Sequence, residues 1–261
     1  MMNSFFPWIG GKKLMRDIIL ERFPVDYDRY IEAFGGAAWI LFAKEPEPFE
    51  VYNDYNSDLT NMFYVVKYRP LAFLEELGFL PLNGKEEFEL FLDWNKRKDF
   101  SVPYEKEELE LAKHYLTPLE YDQYKEMIDN RAMLGDVRRA ANFYKLIRYS
   151  YAGGSKSYNG QPVNLMQAYQ TIWQANRRLN ENGIKTESDK RKAIGRTGKG
   201  VIIQNKSFDE LIPLYDRPKA FTYCDPPYYG TEKLYTAKFS RESHFHLRDV
   251  LGSVKGYFML S

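Results

Sequence analysis

The chain has 261 residues, 28% of them charged and 44% hydrophobic, with 37 Lys/Arg against 36 Asp/Glu for a formal net charge of +1. That length suits one sizeable α/β domain with an insert, and no apolar run approaches the roughly 20 residues that cross a bilayer, so a soluble globular protein is expected. The lone Cys224 excludes an internal disulfide, and three histidines (His114, His244, His246) give no zinc-type spacing, so no metal and a cytoplasmic setting are expected.

In chain order, the N-terminus lacks the basic region, apolar run and cleavage site of a secretory signal. The segment FPWIGGKKLM (5–14) has a Gly-Lys pair, but Lys13 stands where a phosphate-binding loop has Ser or Thr, and no glycine lies five residues before Gly11. A nucleotide triphosphatase is therefore disfavoured, and read alone the segment is an arm whose Trp8 plugs the core. RYIEAF (29–34) and FEVYND (49–54) are β-like runs, followed by the helical patterns AAWILFAKE and SDLTNMFYVVKY. GVIIQN (200–205), AFTYCD (220–225) and GYFMLS (256–261) are three more, the first leading into the helical SFDELIPLY. This alternation predicts a mostly parallel sheet covered by helices. Residues 65–199 then form an insertion, with 1–64 and 200–261 making one discontinuous domain.

Inside the insertion, KEEFELFLDWNKRKDF and EKEELELAKHYLTPLEYDQYKEMID read as charged amphipathic helices and RRAANFYKLIRYSY as a basic, aromatic one. AGGSKSYNGQPVN predicts a loop or hairpin near 150–160, and NGIKTESDKRKAIGRTGKG a polar, mobile stretch. Charge is uneven: residues 131–206 carry 15 Lys/Arg against 4 Asp/Glu, whereas residues 71–130 carry 7 against 15. A basic segment interleaved with Tyr149, Tyr151, Tyr158, Asn159 and Trp173 suits a polyanion with stackable bases, or else a solvated surface.

Two motifs bear chemistry. In TYCDPPYYG the acid Asp225 ends a predicted strand, where open α/β sheets bind ligands. Pro226 and Pro227 fix their φ angles and offer carbonyls without N–H groups. The Asp225 carboxylate and Pro226 carbonyl suit the two hydrogens of an aromatic amino group, freeing the nitrogen lone pair, while Tyr228 offers a face for stacking. In YIEAFGGAAWILF a glycine turn lies between strand and helix without the G-x-G-x-x-G spacing of a pyrophosphate site, and Asp54 follows about 20 residues later, where an acid commonly accepts from ribose hydroxyls. A nucleoside cofactor without a pyrophosphate is favoured, and S-adenosylmethionine fits. His244 and His246 read as structural members of a helix start, and Cys224 as a small strand residue.

Together these segments resemble the D12-type, or Dam-like, DNA adenine N6-methyltransferases. PWIGGKK is similar to the family's W-x-G-G-K, EAFGGAA to E-x-F-x-G-G, VYNDYNSDL to N-D-x-N-x-x-L, and TYCDPPYYG to D-P-P-Y, all in the family's order. The resemblance implies a Rossmann-like S-adenosylmethionine-dependent methyltransferase sheet with an inserted helical DNA-recognition domain. It implies that Trp8, Lys12, Glu32, Phe34, Gly35, Gly36, Asp54, Phe208 and Asp225 hold the cofactor, with Ser207 where the family carries an acid. Asp225, Pro226, Pro227 and Tyr228 would receive a flipped adenine. Lys12, Arg138, Arg139, Arg148, Tyr149, Lys156, Tyr158 and Asn159 would contact double-stranded DNA.

A monomer is expected, with a cognate restriction endonuclease as a candidate companion. Family members continue past the FMLS strand with a further strand pair, so the sheet edge is expected to be unprotected. The alternatives are a truncated, inactive DNA-binding protein and a protein-glutamine methyltransferase of the N-P-P-Y type, against which Asp225 and the basic insert argue.

Overall fold

The computed structural model describes residues 2–78, 85–97, 105–129, 135–154, 157–159, 165–181, 183–184, 200–230 and 239–261. Five strands appear where the alternating runs place them: β1 (Arg29–Glu32), β2 (Glu50–Asn53), β3 (Ile202–Gln204), β4 (Ala220–Cys224) and β5 (Tyr257–Leu260). Their spatial order is β3-β2-β1-β4-β5, every pair parallel, the sheet expected of a Rossmann-like fold. The helices are α1 (Arg16–Leu20), α2 (Trp39–Ala43), α3 (Ser57–Tyr68), α4 (Pro70–Leu77), α5 (Lys85–Arg97), α6 (Glu105–Tyr115), α7 (Pro118–Asp129), α8 (Val137–Arg148), α9 (Leu165–Asn180), α10 (Phe208–Tyr215) and α11 (Arg241–Leu251). No helix among the described residues is long and apolar enough to cross a membrane.

Side chains alternate across the strands and build two cores. Tyr30, Tyr52, Phe221 and Tyr223 point to one face, where they join residues of α2, α3, α4, α8 and α9. Ile31, Val51, Ala220 and Cys224 point to the other and pack with Leu211 and Ile212 of α10 and Leu247 and Leu251 of α11. Cys224 is thus a buried strand residue. The helices α8 and α9, which belong to the 65–199 segment, contribute Phe143, Tyr144, Ile147, Ile172 and Leu179 to the first core. β5 forms one edge of the sheet, with Tyr257, Phe258 and Leu260 exposed.

The stretch 105–129, read as one helix, is two. Pro118 cannot continue a helix from the preceding turn but suits the first position of a new one. Thr117 and Glu120 form the matching cap: Thr117 N–H and Oγ1 donate to Glu120 Oε2 at 3.0 and 2.8 Å. The predicted hairpin near 150–160 is a 3-10 turn at Tyr151–Gly153 followed by an antiparallel bridge between Ser150 and Tyr158. Gly153 has φ +70°, and a Cβ there would lie 2.6 Å from the Pro7 carbonyl oxygen, so the hairpin packs against the N-terminal arm.

Buried charge ties α9 to the sheet. Glu50 on β2 accepts from Lys44 Nζ at 2.6 Å and from both terminal nitrogens of Arg178 on α9 at 2.7 and 2.8 Å. Its carboxyl is held below the ordinary range: burial pushes it up, but the two cations outweigh burial. Removing one partner of such a buried group costs about 3–5 kcal/mol, because the other charge is left uncompensated. Arg178→Ala is therefore expected to lower the unfolding free energy by about that amount in a urea titration. A loss under about 1 kcal/mol would show that the pair does not carry this contact.

Candidate active site

Parallel pairing sets Glu32, the last residue of β1, beside Tyr223 of β4. The strand order reverses at this junction, since β1 is followed outward by β2 on one side and β4 on the other. Ligands of open α/β sheets bind beyond the carboxyl ends of strands at such a point. A cavity of about 300 Å³ opens there. All nine residues expected to hold a cofactor line it: Trp8, Lys12, Glu32, Phe34, Gly35, Gly36, Asp54, Phe208 and Asp225.

One wall is built from the glycine turn after β1. A Cβ on Gly35 would lie 2.2 Å from Tyr52 Cε2, and one on Gly36, at φ +48°, would lie 3.1 Å from Trp8 Cδ1. Protein rings thus fill the space where a side chain at either glycine would go, while both glycines line the cavity. The turn is pinned by Gly35 N–H donating to the Asn53 carbonyl at 2.7 Å and Tyr52 OH donating to the Gly36 carbonyl at 2.8 Å. Ala38 completes it in the left-handed region at φ 54°, a conformation that costs a non-glycine residue on the order of 1 kcal/mol or more.

The acids of the cavity are strongly influenced by their surroundings. Asp54 accepts from Gly36 N–H and Asn56 N–H, both at 2.8 Å, yet burial pushes its carboxyl up to about 6. Glu32 accepts from Tyr30 OH at 2.8 Å and Leu41 N–H at 2.9 Å, and burial pushes it up to about 8. Asp225 accepts from Lys12 Nζ at 2.5 Å and Ser261 Oγ at 3.1 Å, both on Oδ1. Burial raises the Asp225 pKa against the pull of Lys12 and Ser261. Burial also opposes the Lys12 ammonium, but Asp225 outweighs it and the Lys12 pKa is raised.

The other wall is aromatic. Phe34, Phe208 and Phe239 form a triangle with ring centroids 5.6–5.8 Å apart, and His246 packs on Phe208 at 5.4 Å. Of the D-P-P-Y residues, Pro226 is buried, Pro227 lines the cavity, and Tyr228 is 48% exposed with Lys12 Nζ 4.9 Å from its ring centroid.

Sequence reasoning missed three residues here. Asn53 donates to the carbonyls of Ala33 and Lys206 and accepts from Lys206 N–H, fastening the ends of β1, β2 and β3. Its place in VYNDYN was its only signal. Phe239 and Ser261 carry no periodicity or motif of their own.

The expected DNA contacts divide. Arg138, Arg148, Tyr158 and Asn159 are partly exposed, and Lys156 lies outside the described residues. Arg139 is a correction: its guanidinium is buried against Asp58 at 2.7 Å and Ser57 at 2.7 Å, where it fastens α8 to α3. Tyr149 is likewise buried, in a cluster with Phe88, Phe91 and Leu146, and Lys12 is buried in its pair with Asp225.

Over 277 aligned residues, spanning 99% of this chain and 80% of the relative, the protein is 25% identical to the Type II methyltransferase M1.LlaDCHI of Lactococcus lactis subsp. cremoris. It is 22% identical to the Retron Ec67 DNA adenine methylase of Escherichia coli over 96% of this chain and 72% of that protein. The family model of the D12 class N6 adenine-specific DNA methyltransferases matches residues 8–261, the whole span from Trp8 past Asp225, and the chain belongs to that family.

Proposed function

We propose that the protein transfers a methyl group from S-adenosylmethionine to N6 of an adenine swung out of double-stranded DNA. The observation that carries this reading is that the acid of the D-P-P-Y turn and the glycine-turn, Asp54 and Phe208 wall line one cavity. The residues present fit the cofactor. The ring triangle of Phe34, Phe208 and Phe239 suits a nucleobase, Asp54 suits ribose hydroxyls, and the Lys12 ammonium suits a carboxylate. When bound, S-adenosylmethionine supplies an electrophilic methyl group on a sulfonium.

The remaining work falls to this chain's residues. An adenine amino nitrogen is a poor nucleophile because its lone pair is delocalised into the ring. Acceptors at Asp225 and the Pro226 carbonyl favour a pyramidal nitrogen with the pair released, and fixed acceptors cost no reorganisation during transfer. Tyr228, exposed and beside Lys12, offers a face for the base. Swinging the base out costs roughly a few kcal/mol, which contacts to the duplex must offset. The partly exposed Arg138, Arg148, Tyr158 and Asn159, with Lys156, are the candidates for those contacts.

The reaction is tested with purified protein, unmethylated genomic DNA and labelled S-adenosylmethionine, mapping N6-methyladenine by sequencing. Methyl transfer is expected from the wild type, with Asp225→Ala reduced by at least about 10²–10³-fold. Asp225→Ala transferring at the wild-type rate would contradict the assignment.

Asp54 gives a pH signature. Ribose hydroxyls donate to the ionised carboxylate, so cofactor affinity is expected to fall as pH drops through about 6, by up to about tenfold per unit. Glu32, pushed up to about 8, titrates at the alkaline end of the range, apart from the limb near 6. Calorimetric titration with S-adenosylmethionine from about pH 8 to about pH 5 should show this acid limb, and Asp54→Asn should bind more weakly at the alkaline end and flatten it. An unchanged limb in Asp54→Asn would remove Asp54 from the ribose contact.

A further inference from the structure

The D-P-P-Y acid is held from behind by residues outside the motif. β5 pairs with β4 with Leu260 beside Cys224, and Ser261 N–H donates to the Cys224 carbonyl at 3.0 Å. This fixes the Ser261 backbone next to Asp225. Ser261 Oγ donates to Asp225 Oδ1 at 3.1 Å and lies 3.0 Å from the hydroxyl of Tyr223. Since the Ser261 hydrogen goes to the carboxylate, the Tyr223 hydroxyl is left to donate to Ser261 Oγ. Burial, then the Asp225 charge, raise the Tyr223 pKa far above the ordinary tyrosine value, so it keeps the hydrogen this requires. A chain of donors thus runs Tyr223 to Ser261 to Asp225.

With Lys12 Nζ and Ser261 Oγ both on Oδ1, that oxygen is saturated, and among the described residues no hydrogen bond reaches Oδ2. Resting on the methyl-transfer reading above, we infer that Ser261, backed by Tyr223, is a positioning residue for the reaction: it fixes the Asp225 carboxylate so that Oδ2 is the atom offered to the adenine amino group. Lys12 alone does not set this orientation, because an ammonium on a flexible stem is a point charge that either oxygen satisfies. A hydroxyl held by a strand backbone and by a second hydroxyl is directional.

The charged and titratable groups around Asp225 are Lys12 from the arm, Glu32 from β1, Tyr223 and Cys224 from β4, and Tyr228 from the turn. Tyr223 and Cys224 are both raised, so they stay neutral through the working range. Ser261 favours the ionised form of Asp225, and its removal therefore moves the acid limb of the rate to higher pH.

The test compares wild type, Ser261→Ala, Ser261→Thr and Tyr223→Phe in steady-state methylation of unmethylated DNA across pH. Ser261→Ala is expected to lower kcat about tenfold or more, leave KM for cofactor and DNA within about twofold, and shift the acid limb upward. Ser261→Thr, which keeps the hydroxyl, restores most of kcat and the limb, and Tyr223→Phe gives a smaller drop in the same direction. Wild-type kcat and an unmoved limb in Ser261→Ala overturn the inference alone. So does a loss that Ser261→Thr fails to rescue and that tracks a lowered thermal midpoint. Absence of N6-methyladenine with folded wild type overturns the methyl-transfer reading itself, and this inference with it.

Discussion

The ion pair between Lys12 and Asp225 closes the molecule on itself. It joins residues 213 positions apart at 2.5 Å, with both side chains largely buried. Two ions are taken out of water only when their attraction and supporting hydrogen bonds repay the desolvation, and Ser261 Oγ supplies one such hydrogen bond on the same carboxylate oxygen. Everything else in the site presupposes this closure. The arm that ends at Lys12 inserts Phe5 and Phe6 into the core, sets Trp8 beside Gly36, and supplies the backbone against which Gly153 of the hairpin packs.

The parallel sheet makes the closure reachable. Because β1 lies between β2 and β4, the glycine turn after β1, the acid after β2 and the acid after β4 emerge at one end of the sheet. Three carboxyls, Glu32, Asp54 and Asp225, line one cavity, and burial raises the pKa of each, with Lys12 paired to Asp225 among them. Perturbed acids gathered around one cavity support reading it as the site. The buried group of Glu50, Lys44 and Arg178 shows the contrast. There the two cations outweigh burial and hold the carboxyl low, and the residues tie α9 to the sheet instead of facing a cavity.

Much of this was legible in the sequence because it is local. Aromatic and β-branched runs bounded by turn residues marked all five strands, and the motif segments carried the nine residues that line the cavity. What was not legible depends on partners far along the chain. Arg139 reads as one more cation on a basic helix, and only Asp58, 81 positions earlier, makes it interior. Tyr149 reads as an exposed ring beside a loop, but α5 supplies Phe88 and Phe91 to cover it. Ser261 closes an unremarkable strand, and its importance arises from the β4–β5 register. Pro118 was visible as a break within a charged stretch, yet helical periodicity on both sides masked it.

The most direct test of this account is a double-mutant cycle on Lys12 and Asp225, with Lys12→Met, Asp225→Asn and the double variant compared by chemical denaturation. If the pair anchors the arm, each single change strands a buried charge or polar group, and the double costs less than the sum by about 2 kcal/mol or more. Additive losses would mean that the two side chains are held independently, and that the closure of the site rests on apolar packing of the arm alone.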